Sequence, residues 1–259
     1  MPAAQKSSGA IYPDLAGKSV IVTGGGSGIG EAIVRAFVRQ GAKVGFIDIA
    51  RDCSLQLLED LESEGAGARF VEADIRDIPA LRKALAALAE AQGPADILIN
   101  NAAHDERHAT ADVTPEFFDE RIAVNLKHAF FAAQAVLPGM QAKGGGAIVN
   151  FSSISWIRGN GGMPIYTAAK SAMLGLTRAL ARDYGVHNIR VNAVAPGWVK
   201  TERQLAKWVT PESDAQRLAG QCLKRWVEPD DIARFVVFLS SDEASACTAQ
   251  HYVVDAGWT

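Results

Sequence analysis

Seven short apolar runs interleaved with helical patterns set the architecture of this 259-residue chain. The runs cover residues 19–23, 43–48, 69–73, 96–100, 147–151, 190–195 and 251–254. Most are continuously apolar rather than alternating, the pattern of parallel strands buried on both faces. Helical stretches over 28–39, 79–91, 116–141, 165–184 and 229–239 fall between them. Strand alternating with helix predicts an α/β fold, with βαβ units building a parallel sheet covered on both sides. The rhythm breaks between Trp198 and Trp226, a polar stretch containing Pro211. A long insert there reads as a substrate lid over 198–226, with a plain surface loop as the alternative. Residues 1–10 read as a flexible tail and 11–259 as one domain, the usual arrangement for an α/β chain of this length.

Composition excludes several classes. With 48% hydrophobic and 21% charged residues the chain has enough apolar material for a sizeable core. A net charge of −3 without a basic block gives no nucleic-acid footprint. No stretch approaches the ~18 consecutive apolar residues of a membrane span. The start lacks the apolar segment of a signal peptide, and the three cysteines form no disulfide framework or zinc pattern. A cytoplasmic protein is the resulting expectation.

The run Thr23-Gly24-Gly25-Gly26-Ser27-Gly28-Ile29-Gly30 follows the first strand and opens a helix. In that context Gly24 permits a tight turn, Gly28 lets the backbone approach a diphosphate, and Gly30 allows close helix–strand packing. The N–H groups of the helix start, around Ser27 and Ile29, then face the phosphates. Asp48 ends the second strand, where a carboxylate accepts ribose hydroxyls and repels a 2′-phosphate; no arginine immediately follows it. This favours NAD over NADP. Asp74 and Ile75 end the third strand, within reach of an adenine, and Asn100-Asn101-Ala102-Ala103 ends the fourth.

Tyr166 and Lys170 stand four apart on one helix face, and Ser153 lies thirteen positions before the tyrosine. A free phenol titrates near ~10, so a neighbouring ammonium is needed to make it a base near neutrality. Together with the glycine loop, the set reads as a nicotinamide-dependent oxidoreductase. The motifs TGGGSGIG, NNAA, VNLK, Ser153, YxxxK and PGWVKT resemble those of the short-chain dehydrogenase/reductase family. The resemblance implies a single Rossmann-type, doubly wound, seven-stranded parallel sheet. It implies a catalytic tetrad of Asn125, Ser153, Tyr166 and Lys170, in which Asn125 holds a water that links Lys170 to solvent. Lys170 also holds the nicotinamide ribose, Pro196, Gly197, Val199 and Thr201 stand at the nicotinamide end, and Asn101 and Ala102 line the cofactor. The family has Gly where this chain has Ala103. A homotetramer is implied as well, pairing the helices at 116–141 and 165–184.

Further passages, among them SSISW and VKTERQ, resemble bacterial aldose 1-dehydrogenases of the xylose and arabinose type. The implied reaction is oxidation of an aldopyranose at C1 to the aldonolactone, for D-xylose, L-arabinose, D-galactose, L-fucose or L-rhamnose. Ser153, Ser155, Trp156, Asn160, Tyr166 and Trp198 are the candidate substrate contacts. His104, Asp105, Arg107, Arg203 and Gln204 are further candidates by position. Tryptophan suits the C–H face of a pyranose, although it is more often a core or subunit contact. His104, Asp105 and His108 make no metal site by spacing, and no metal is expected. The alternatives are a secondary-alcohol or 3-oxoacyl oxidoreductase and, more remotely, a cofactor-binding protein without catalysis.

Overall fold

The computed structural model describes residues 9–259. In chain order its elements are β1 (Ser19–Thr23), α1 (Gly28–Arg39), β2 (Lys43–Asp48), α2 (Arg51–Ser63), β3 (Arg69–Glu72), α3 (Ile78–Gln92), β4 (Ile97–Asn100), α4 (Pro115–Ile122), α5 (His128–Lys143), β5 (Gly146–Phe151), α6 (Pro164–Tyr184), β6 (Ile189–Pro196), α7 (Glu202–Lys207), α8 (Pro211–Gly220), α9 (Pro229–Ser240) and β7 (His251–Val254). The seven strands form one parallel sheet in the order β3-β2-β1-β4-β5-β6-β7. The direction of winding reverses between β1 and β4, which opens a crevice at the carboxyl edge of the sheet.

Alternating residues of each strand feed two separate cores. Val20, Val22, Ile97, Ile99 and Val149 pack with Ile33, Phe37, Leu57, Ile232 and Val236, from α1, α2 and α9. Ile21, Ile47, Leu98 and Ile148 pack with Leu81, Leu85, Ala133, Leu137 and Leu180, from α3, α5 and α6. Both faces are therefore covered, which explains why the strands read as unbroken apolar runs. Phe37 is fully buried, and truncating such a side chain to alanine costs about 3–5 kcal/mol.

Helix starts follow local chemistry. Asp77 caps α3 by accepting from the Ala80 N–H at 3.2 Å, and Thr114 caps α4 through Phe117 N–H at 3.2 Å; proline stands in the first turn of each. One helix departs from the sequence pattern. Helix α2 buries only Ser54, Leu57 and Leu61 and has no side-chain cap, so its apolar stripe is too thin to stand out among its charges. The long helix expected over 116–141 forms without a break, with a π-helical turn, Ala123–Lys127, joining α4 to α5.

The segment expected to form a lid contains α7 and α8, each with a threonine cap: Thr201 accepts from Gln204 N–H and Thr210 from Ser213 N–H. Its two ends meet in a bridge between Val199 and Val227. Of the expected tail, residues 1–8 lie outside the described residues, while the Ala10 carbonyl accepts from Gln40 Nε2 at 3.0 Å.

Candidate active site

An open cleft of about 1970 Å³ runs along the carboxyl edge of the sheet, bounded by the glycine loop, the ends of β2 to β6, and α7. The glycine loop is shaped by contacts that leave no room for side chains. Gly24 has φ +67°, and a Cβ there would lie 2.8 Å from Ala102 Cα. A Cβ on Gly30 would lie 1.7 Å from the Gly24 carbonyl oxygen. Asn101 Nδ2 ties the loop to β4 by donating to the Thr23 and Gly24 carbonyls at 3.1 and 2.8 Å. Ser27 begins α1 without a side-chain cap, and Gly28, Ile29 and Gly30 line the cleft, so the helix start offers its N–H groups to an anion.

Asp48 sits at the tip of β2. Its carboxylate accepts from Gly26 N–H at 2.8 Å and Ala50 N–H at 2.9 Å, which fixes it beside the loop with lone pairs to spare. Arg51, the nearest basic residue in sequence, is engaged by Glu72 at 2.7 Å. Asp74 is clasped by Arg76, whose guanidinium also reaches Glu120, and that arginine holds the Asp74 carboxyl below its usual range. Ile75, Asn101, Ala102, Pro196, Gly197, Val199 and Thr201 all line the same cleft. Ala103 lines it as an exposed residue and is not among the positive-φ residues, so its methyl meets no backbone strain. The cradle that glycine keeps open, the free helix start and the strand-end carboxylate fit a dinucleotide.

Ser153, Tyr166 and Lys170 open onto the middle of the cleft. Ser153 Oγ accepts from Ser155 N–H at 3.1 Å, which orients the hydroxyl. Lys170 is 1% exposed, and its Nζ donates to the Phe151 carbonyl at 2.8 Å and lies 5.8 Å from the centre of the Tyr166 ring. Asn125 is fully buried in the π-helical turn, where its side chain is hydrogen-bonded to the loop after β4. Its Oδ1 accepts from His104 N–H at 2.9 Å, and its Nδ2 donates to the His104 and Arg121 carbonyls at 3.1 and 2.9 Å. It braces the loop after β4, with both amide hydrogens committed.

Lys170 is expected to lower the Tyr166 pKa with the help of a positive nicotinamide; without the cofactor, the surroundings of the two groups set their proton affinities. Burial dominates both groups. It pushes the Tyr166 phenol up to about 12, helped by Asp105 and opposed by Ser153 and Arg203. It pushes Lys170 down to about 7. The first proton therefore leaves the ammonium, and only above a pH of about 7 does the free protein favour neutral lysine beside neutral phenol. His128, a buried histidine the motif pattern did not single out, is held down at about 3 by burial first and Lys170 second, so it stays uncharged.

The lowered Lys170 value has a consequence for stability. Between pH ~7 and ~10.5 the unfolded chain binds this proton and the folded chain does not, so Lys170 makes stability rise with pH across that window. Below it, the folded protein carries the full cost of a buried ammonium. Lys170→Met is expected to raise the melting temperature at pH 6 by several degrees, with the gain shrinking towards pH 10. Thermal unfolding of both proteins across that range checks this; a pH-independent difference contradicts it.

The substrate side of the cleft is polar and aromatic. Asp105, Asn160, Arg203, Gln204, Trp198, Trp208 and Trp258 line it. Ser155 lines it too, and its buried hydroxyl has no partner among the described residues. Trp198 stacks on Trp258 with ring centres 6.4 Å apart, and Arg158 lies 3.9 Å over Trp258. Trp156 must be corrected: it does not line the cleft. Its indole donates to Ser152 Oγ at 3.1 Å and its ring lies 5.7 Å from that of His251 on β7. The helical turn after Ser153 points it towards the sheet edge, which a count of tryptophans cannot reveal. His104 pairs with Arg121 and Glu106, and His108 packs edge-on against Phe117 at 5.1 Å.

Comparison with known proteins agrees with this geometry. The family model described as "Enoyl-(Acyl carrier protein) reductase" matches residues 24–259. A "D-xylose 1-dehydrogenase" of Caulobacter vibrioides (strain NA1000 / CB15N) is 49% identical over 251 residues, covering 97% of this chain and 99% of the relative. The "Probable galactose dehydrogenase GalD" of Rhizobium meliloti (strain 1021) is 48% identical over 247 residues, covering 95% and 96%. Among solved structures, a 7α-hydroxysteroid dehydrogenase complexed with NADH and 7-oxo glycochenodeoxycholic acid matches with a TM-score of 0.90 at 32% identity, covering 95% of this chain and 96% of that one. A doubly wound seven-stranded sheet, a glycine cradle at its switch point and a Ser-Tyr-Lys cluster beside it place the chain in the short-chain dehydrogenase/reductase family of oxidoreductases.

Proposed function

We propose that the protein oxidises a cyclic aldose at C1 to the aldonolactone with NAD as acceptor. The observation that carries this reading is that Asp105, Asn160, Arg203, Gln204 and Trp198 line the same cleft as Ser153, Tyr166 and Lys170. Such a lining offers partners to several hydroxyls and flat apolar faces to ring C–H groups. The full-length similarity to a protein named for D-xylose oxidation supports the same substrate class. A 3-oxoacyl chain would instead have to bury its alkyl part against Asp105, Arg203 and Gln204, at the cost of desolvating them.

Tyr166 is the base that takes the proton of the C1 hydroxyl, and Ser153 holds the reacting oxygen by a hydrogen bond. Lys170, protonated, stabilises the phenolate and reaches the cofactor ribose. A bound nicotinamide would supply the acceptor for the C1 hydride and a positive charge. As C1–H and O–H are lost, the C1–O bond becomes the lactone carbonyl, so the ring stays closed. The Tyr166–Lys170 pair must lose one of its two protons before a phenolate can stand beside the ammonium, so oxidation is expected to speed up as pH rises through that first loss. Gly24, Gly28 and Gly30 with the α1 start hold the diphosphate, and Asp48 the adenosine ribose.

A panel of aldoses, secondary alcohols and 3-hydroxyacyl thioesters, followed by NADH absorbance, tests the reading. Turnover confined to the alcohols or thioesters would remove it. Cofactor choice follows Asp48: NAD is expected to give far higher kcat/KM than NADP, and Asp48→Ala to narrow the ratio by at least about tenfold, the size of one lost charge-assisted contact. Equal use of both cofactors by the unmutated protein would defeat the assignment.

The assembly we infer is a homotetramer. Phe118 on α4, Phe130 on α5 and Val253 on β7 are exposed on surfaces where the family pairs its subunits, 46%, 44% and 39% accessible respectively. Light scattering distinguishes a tetramer from a monomer. Among the described residues no helix is long and apolar enough to cross a membrane, and Cys53, Cys222 and Cys247 are unpaired, which suits the reducing cytoplasm we assign.

A further inference from the structure

Asp105 stands in the loop after β4 and lines the cleft, with its side chain 20% exposed. Helix α7 engages both of its oxygens: Arg203 Nη2 donates to Oδ1 at 3.1 Å and Gln204 Nε2 to Oδ2 at 2.7 Å. Gln204 is held in turn, because its Oε1 accepts from Trp198 Nε1 at 2.7 Å. That bond fixes which end of the amide faces the carboxylate. The four residues share the cleft with Ser153 and Tyr166.

The position is unfavourable for the base. After burial, the Asp105 charge is the largest influence raising the Tyr166 pKa, and Arg203 offsets only part of it. A latch between loop and helix could be made from neutral side chains without that penalty. What a carboxylate adds is acceptor capacity: about four lone-pair sites and no donor. Two are used by α7, which leaves each oxygen able to accept one hydroxyl.

We propose that Asp105 reads the hydroxyls of the sugar remote from C1, accepting a hydrogen bond from one or two of them while Arg203 and Gln204 fix the plane of its carboxylate. The inference rests on the aldose reading above. Arg203 and Gln204 are positioning residues, and they couple sugar binding to the seat of α7. A site built to bond a hydroxyl discriminates against an analogue lacking it, because the closed site then leaves one lone pair of the carboxylate without the partner that water gave it.

The test uses the aldose that the wild type oxidises best, together with its monodeoxy analogues. Asp105→Asn is expected to raise the KM of the aldose about tenfold or more, the effect of losing a charge-assisted hydrogen bond, while the KM of NAD stays within about twofold. At least one monodeoxy analogue that the wild type rejects should be handled by the variant nearly as well as the parent sugar. Around the phenol stand Asp105 from the β4 loop, Arg203 from α7, Lys170 from α6 and uncharged His128 from α5. Removing the carboxylate therefore shifts the alkaline rise in rate to lower pH, and Arg203→Gln, which leaves the carboxylate in place, shifts it to higher pH. Thermal unfolding and NADH binding confirm that each variant folds. If sugar and NAD KM rise together, or discrimination against every monodeoxy analogue persists in Asp105→Asn, the residue is a latch alone and the proposal is overturned. A wild type that oxidises no aldose overturns the aldose reading and this inference with it; one that does, with unchanged discrimination in the variant, overturns this inference only.

Discussion

Replacing Tyr166 with phenylalanine is expected to lower kcat by about 10³-fold or more, the upper part of the range for losing a general base. The change removes one oxygen from a half-buried ring and leaves the glycine cradle, Asp48 and Lys170 in place. NADH affinity, read by fluorescence titration, is therefore expected to stay within a few-fold of wild type. The pair of results matters more than either alone, because a disrupted fold would lose both. A fully active Tyr166→Phe protein refutes the mechanism.

Gly30→Ala is expected to be as damaging by a different route. Its methyl would have to occupy space 1.7 Å from the Gly24 carbonyl oxygen and 2.8 Å from Asn101 Nδ2. Relief requires moving the turn or the β4 end that Asn101 ties to it, and both shape the diphosphate site. Apparent NAD affinity is expected to fall about 100-fold or more, with overpacking destabilising the protein by about 1–3 kcal/mol. Gly67→Ala, where an added Cβ meets nothing within 4 Å, serves as the control and is expected to be near neutral. Normal NAD affinity in Gly30→Ala would mean that the loop does not form the cradle described.

These two residues also mark what the sequence makes legible. A strand, a glycine loop and a helix start are local patterns, so the cradle around Gly24 and Gly30 could be read from spacing and position. The Tyr166 and Lys170 pair could be read the same way, because four residues on a helix guarantee one face. Interactions between distant segments could not. The bonds from α7 to Asp105 span about a hundred residues and depend on where the Val199–Val227 bridge seats that helix. The direction in which Trp156 points depends on a turn after Ser153 that carries no strong signal. Helix α2 was hidden because only a thin stripe of it is buried. The influence of burial on Tyr166 and Lys170 is not legible either, because it depends on what packs over α6 rather than on the spacing of the two residues.

The central claim, oxidation of a closed sugar ring at C1, is tested most directly by NMR of the product formed from C1-labelled aldose and NAD. The first new carbon signal is expected to be that of the aldonolactone carbonyl, appearing in step with NADH and giving way only later to the free aldonate by hydrolysis. A product oxidised at any other carbon, or an aldonate that accumulates with NADH from the first turnover with no lactone before it, contradicts the account.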